Sequence, residues 1–161
     1  MKAPQEETER PGESQTGEAE LEICDGVKLM DHAADAGLII TARTMRELFE
    51  RAAMGMFLLL MDLSAVRPVQ SESIRLTAED AEILLVSWLS ELNYRHVVRR
   101  MVYCRFHVSE LDGVKLAATV SGEKLDRARH TIHTEIKAIT RHGLKIVTTD
   151  KGYRAEVLFD L

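Results

Sequence analysis

The spacing of apolar residues changes period partway along this chain, and that change limits the fold more than any other feature. Thr44-Met45-Arg46-Glu47 has the form of a helix capping box. Behind it, Met45, Leu48, Phe49, Ala52, Ala53, Met56, Phe57 and Leu60 recur at the spacing of one buried helical face. A second such stripe (Ala81, Leu84, Leu85, Trp88, Leu89 and Leu92) follows Thr77 and Asp80, which are read as its start. Ile74 and Leu76, with polar residues between, suggest a short strand before it.

Beyond Leu92 the period becomes two. Val102, Cys104, Phe106 and Val108 form one alternating run; Val114, Leu116, Ala118 and Val120 form the next. Asp112-Gly113 between them is a hairpin signal, because both residues suit the positive-φ positions of a tight turn. Ile136, Ala138 and Thr140 suggest a third strand, and Leu144 and Ile146 a fourth. Tyr153, Ala155, Val157 and Phe159 form the last, after a turn at Asp150-Lys151-Gly152. Two stripes of one period and five runs of the other predict an α+β domain. Its two amphipathic helices should pack on a mainly antiparallel (mixed) β-sheet.

Residues 1–20 stand apart. They hold six Glu against Lys2 and Arg10, with hardly any large apolar side chain, so burial cannot offset chain entropy there. They are read as a disordered acidic tail, and residues 21–161 as a single domain. Since the whole chain carries a net charge of −5, the domain is close to neutral, which is not the footprint of a strong RNA binder. If nucleic acid is involved, its contact is expected to be indirect, through a protein partner. No apolar run reaches the roughly 20 residues that span a bilayer, and the N-terminal residues have no apolar segment of the signal-peptide kind. Cys24 and Cys104 are far apart, with no Cys-x-x-Cys pair. That usage points to a reducing, cytoplasmic setting.

The polar residues offer few places for chemistry. Asp31-His32-Ala33-Ala34-Asp35-Ala36-Gly37 joins two apolar runs and packs two carboxylates and an imidazole into five residues. One reading is a tight turn whose carboxylates satisfy backbone N–H groups; the other is part of a cation site, since hard cations favour clustered carboxylate oxygens. A metal-dependent hydrolase using Asp31, His32 and Asp35 would also need a general base, and none is evident. At the other end, Asp160 and Leu161 follow an alternating strand and would deliver a side-chain and an α-carboxylate together. Spacing alone does not bring the two segments together. His130-x-x-His133 lacks a third zinc ligand at a recognisable spacing, and Arg129 and His130 beside Glu123 and Asp126 suit an ion-paired loop. Arg95, Arg99 and Arg100 complement a helix C-terminus as solvated cations, or serve as a docking face for an acidic partner. Trp88 is expected to anchor the core with its N–H on an acceptor.

Taken in order, these segments resemble the archease family. The resemblance covers about residues 25–161 and rests on Asp31-His32-Ala33-Ala34-Asp35, Glu47-Leu48-Phe49, Ala52-Ala53-Met54-Gly55-Met56-Phe57 and Met61-Asp62. It continues through Trp88-Leu89-Ser90-Glu91-Leu92, Gly122-Glu123, His130, Thr134-Glu135-Ile136-Lys137-Ala138-Ile139-Thr140 and Asp160-Leu161. Two positions depart from the family's usual pattern, where Thr stands in place of Ala33 and an aromatic residue in place of Arg141. The resemblance implies an archease-like α+β fold and a non-enzymatic protein that promotes guanylylation and multiple turnover of an RtcB-type tRNA-splicing RNA ligase. It also implies a chaperone-like alternative, acting on a tRNA-modifying enzyme such as a tRNA methyltransferase. By the same resemblance, the cofactor is a divalent cation, calcium, and its ligands are Asp35, Asp160 and Leu161. Catalytic residues are not expected, a homo-oligomer is allowed, and a membrane is not involved.

Overall fold

Helix α1, Met45–Leu60, starts where the capping box places it: Thr44 Oγ1 accepts from the Glu47 N–H at 3.2 Å. The Glu47 carboxylate answers one residue further out than usual, accepting from the Arg43 N–H at 2.8 Å. In the computed structural model, which describes residues 20–31 and 35–161, no residue of α1 from Glu47 to Leu60 is exposed. A helix with only one apolar stripe would show an exposed face. This one is covered from two sides, by separate sheets.

The larger sheet has six strands: β1 (Glu20–Cys24), β2 (Val27–Asp31), β3 (Asp35–Ala42), β7 (Ala138–Thr140), β8 (Ile146–Thr149) and β9 (Gly152–Asp160). They run in the order β1-β2-β3-β9-β7, with β8 also on β9. The smaller sheet takes β4 (Gln70–Thr77), β6 (Lys115–Lys124) and β5 (Met101–Leu111), in that order. Every pairing between these strands is antiparallel. The expected α+β architecture is present, divided into two sheets, because α1 lies between the strands that one sheet would have had to join. Its Gly55 side lies on Val27 and Leu38 of the larger sheet. Its Phe57 ring meets Tyr103 and Phe106 of the smaller one, at 5.6 and 5.5 Å between centroids.

Helix α2 (Ala81–Arg99) packs on α1 and also reaches both sheets. Trp88, fully buried, donates its indole N–H to the Phe49 carbonyl of α1 at 3.0 Å. The Met and Phe stripe of α1 is core, as its spacing indicates. No helix among the described residues is long and apolar enough to cross a membrane.

Local differences from the sequence reading have identifiable causes. Thr77 ends β4, paired with Lys115, and Asp80 alone caps α2 by accepting from the Ile83 N–H. Ile136 is not in a strand: its carbonyl is held by Asn93 Nδ2 of α2 at 2.9 Å, and β7 begins only at Ala138. Leu144 belongs to a turn, its N–H on the Arg141 carbonyl, so β8 begins at Ile146. Strand β1, whose alternation is confined to Glu20-Leu21-Glu22-Ile23, forms through antiparallel pairing with β2. The tail reading for residues 1–20 lies outside the described residues except at Glu20, which opens β1.

The hairpin of β5 and β6 is irregular near Gly122, where the β5 register shifts between Tyr103 and Arg105. A Cβ on Gly122 would stand 1.8 Å from the Val102 carbonyl oxygen and 2.7 Å from Tyr103 Cα. Both obstacles are backbone, which has no rotamer to yield. Gly122→Ala should therefore lower stability by about 3 kcal/mol, measured as a fall in the urea midpoint of unfolding.

Candidate functional site

Strand β3 enters the larger sheet at Asp35 and β9 leaves it at Asp160, and the antiparallel register makes these two residues direct partners. The alternation along both strands explains how two acids come to face one another. Leu38, Ile40 and Ala42 point to the helices from β3, as do Ala155, Val157 and Phe159 from β9. Asp35, Gly37, Ile39 and Thr41 take the opposite face, with Asp160, Leu158, Glu156 and Arg154 as their partners. Directly opposed residues carry their Cβ atoms about 5 Å apart, and like charges so placed repel. Both aspartates are exposed. Among the described residues, no Lys, Arg or His forms an ion pair with either.

On the other side of β9, Ala138 is the partner of Asp160, and the Lys137 N–H donates to the Asp160 carbonyl at 2.8 Å. Leu161 is half-buried and packs against the edge of the core, following the inward alternation of Phe159. Asp31 ends β2 opposite Ala36; its side chain, with His32, Ala33 and Ala34, lies outside the described residues. The hydrolase reading of Asp31, His32 and Asp35 therefore falls partly outside them too. Among the described residues no group of three or more His, Cys, Asp or Glu side chains is gathered as a metal site would require. The opposed pair supplies two carboxylates, which can share one cation but need a third donor from elsewhere.

The second polar concentration is a clamp. Glu123 is buried near the end of β6, and its carboxylate accepts from the Arg67 N–H at 3.0 Å, Arg129 Nη2 at 2.8 Å and His130 Nε2 at 2.8 Å. His130 Nδ1 accepts from the Asp126 N–H at 2.9 Å, so the proton on Nε2 is the one given to Glu123. Both ring nitrogens are thus engaged, and His130 is a tie between strand and loop, not half of a zinc pair. The hydrogen bond from Arg129 acts most strongly on Glu123. Burial opposes it, but the Arg67 and His130 bonds add to it, and the carboxyl is held down to about 2.

A third network was less legible. Arg95 is well covered, donating to Glu91 at 2.8 Å and to Glu72 at 3.0 Å, where the sequence reading had it solvated. The Tyr103 hydroxyl donates to the same Glu72 oxygen. Burial pushes Glu72 upward, yet the Tyr103 and Arg95 bonds outweigh it and leave the carboxyl below its ordinary value. The Glu91–Arg95 spacing of four is a readable signal. Nothing in the spacing points to Glu72.

The model of the Archease protein family matches residues 28–161. Protein archease of Methanopyrus kandleri is 37% identical over 135 residues, a span of 82% of this chain and 96% of that protein. Protein archease of Methanosarcina acetivorans is 36% identical over 136 residues, covering 82% of this chain and 93% of its own. The solution structure of Methanobacterium thermoautotrophicum protein 1598 superposes with a TM-score of 0.75 at 33% identity, over 86% of this chain and 100% of that one. A crystal structure described as an archease, possible chaperone, from Thermotoga maritima shares the fold at a TM-score of 0.57 and 21% identity, over 82% of this chain and 94% of that one.

The Glu123 clamp generates a pH dependence whose sign follows from its lowered pKa. The carboxyl falls from an ordinary 4.5 to about 2 on folding, so the ionised form stabilises the fold. That contribution is complete above pH 4.5 and is lost as the pH drops from there toward 2. Glu123→Gln should be less stable than the parent at neutral pH. In urea titrations across the window, the gap between the two proteins should close as the pH falls.

Proposed function

This chain belongs to the archease family, and from that premise we propose that it is a non-enzymatic, metal-binding protein cofactor of an RtcB-type tRNA-splicing RNA ligase. It promotes guanylylation of the ligase and allows multiple turnovers. The reading is carried by one observation: the register that sets Asp35 opposite Asp160 at one end of the larger sheet. Sequence spacing left these residues in unrelated segments, and sheet pairing makes them neighbours.

The residues fit a divalent cation such as calcium. Two opposed carboxylates with no cationic partner among the described residues carry a repulsion that a hard cation removes, and oxygen donors are what calcium takes. Asp35 and Asp160 would hold it, with the α-carboxylate of Leu161 as the third anionic ligand. When bound, such an ion supplies positive charge for phosphate oxygens of a nucleotide. Strand pairing sets Asp35 and Asp160 opposite one another, at the ends of two strands that each have neighbours on both sides. Leu161, packed on the core edge, holds the main chain beyond Asp160. We place the activity in the cytoplasm, with RNA contacted through the ligase.

A chaperone-like role toward a tRNA-modifying enzyme such as a tRNA methyltransferase is the second reading. It is favoured by the exposed Tyr94, Val97 and Val98 on α2 and by the description of the Thermotoga maritima relative as a possible chaperone. Suppression of methyltransferase aggregation without any effect on a ligase would select it.

Guanylylation of the ligase from the same source, with this protein substoichiometric, should show a multi-turnover gain that chelator abolishes. Asp35→Ala should reduce the gain by about tenfold or more, the loss expected when support for a metal is removed. Full activation by Asp35→Ala would sink the metal site.

A test without the ligase uses thermal unfolding. Calcium at a hundred times its Kd should stabilise the parent by about 2.7 kcal/mol. Asp35→Asn should melt slightly above the parent in chelator, because a repulsion is gone, and should not respond to calcium. A peptide extension beyond Leu161 should weaken the calcium response, since it converts that carboxylate to an amide.

A further inference from the structure

A groove of about 690 Å³ lies between α2 and the segment leading into β7. On the α2 side Tyr94, Val97 and Val98 are 54%, 57% and 59% exposed. Their spacing of three and four places them on one helical face, turned away from the core that Trp88, Leu89 and Leu92 enter. Ile132, Ile136 and Ile139 line the opposite wall. Apolar surface gathered in this way is what protein partners cover.

Two further observations specify the occupant. Arg100, Arg127 and Lys137 line the groove against a single carboxylate, Glu135, so acidic side chains are complementary. Strand β7 pairs only with β9, and its other edge is open among the described residues. An open edge accepts an added strand.

We propose that this groove binds an extended segment of a partner protein in which apolar and acidic side chains alternate. The segment adds to the free edge of β7. A helical occupant fits less well, because beyond its first turn its N–H groups are already used internally. RNA fits less well too, because the walls are aliphatic and the cations few. The segment would lie two strand spacings from Asp160, about 10 Å, since Ala138 is the partner of that residue. The inference stands without the metal, and without the ligase being the partner.

The test is a phage-displayed library of random peptides panned on the full chain and counter-selected on Val97→Glu, whose exposed site should leave folding intact. Enriched peptides should alternate apolar and acidic residues, and bind Val97→Glu and Arg127→Glu about tenfold more weakly than the parent. They should slow amide exchange at residues 136–139. Any one of four results would overturn the proposal: no enrichment, peptides that bind both variants as well as the parent, peptides that turn helical on binding, or basic peptides. Arg127-dependent binding of a short oligouridylate in place of any peptide would assign the groove to RNA instead.

Discussion

Everything in this fold is arranged around the enclosure of α1 between two sheets. An ordinary amphipathic helix needs one apolar stripe and leaves the rest to water. Here one flank of α1 lies on β2 and β3 and the other on β5. Gly55 permits the first approach, since a Cβ there would stand 2.8 Å from Val27 and 2.9 Å from Leu38. Phe57 fills the second, edge-on to Tyr103 and His96. The polar residues of α1 are accordingly tied down: Glu50 accepts the Val108 N–H of β5, and Arg51 donates to the Thr41 carbonyl of β3.

The same enclosure determines the site. Leu38 and Ile40 must face α1, which fixes the parity of β3; Val157 and Phe159 fix that of β9. A slip of one residue in either strand would turn an apolar face outward and an aspartate inward. The outward, opposed placement of Asp35 and Asp160 is thus enforced by core residues that never touch either carboxylate. Fold and site share a single constraint.

That dependence explains what could be read from the sequence. The helices, the Asp112-Gly113 hairpin and the last strand were legible because local period and turn chemistry decide them, and the Trp88 N–H did find an acceptor. Division into two sheets was not legible, since it depends on where α1 inserts. Nor were β1, whose Glu20-Leu21-Glu22-Ile23 alternation is only four residues long and adjoins the acidic tail, and the late start of β7, which follows from Asn93 capturing the Ile136 carbonyl. The acids of the candidate site were visible individually as a turn motif and a strand end. Their meeting is a register fact, and register between strands more than a hundred residues apart leaves no local trace. Family resemblance pointed to the pair; the strand register makes its two members neighbours.

The position of β9 has a kinetic consequence. It is the last described element in chain order, yet β3, β7 and β8 all pair with it. During synthesis, α1, α2 and the hairpin of β5 and β6 emerge before the strand that joins the two parts of the larger sheet. Until β9 arrives, β3 presents an open edge and β7 and β8 have no strand to pair with. The nascent chain must therefore wait with an unfinished sheet, and its slowest contacts are those that bring Asp160 to Asp35.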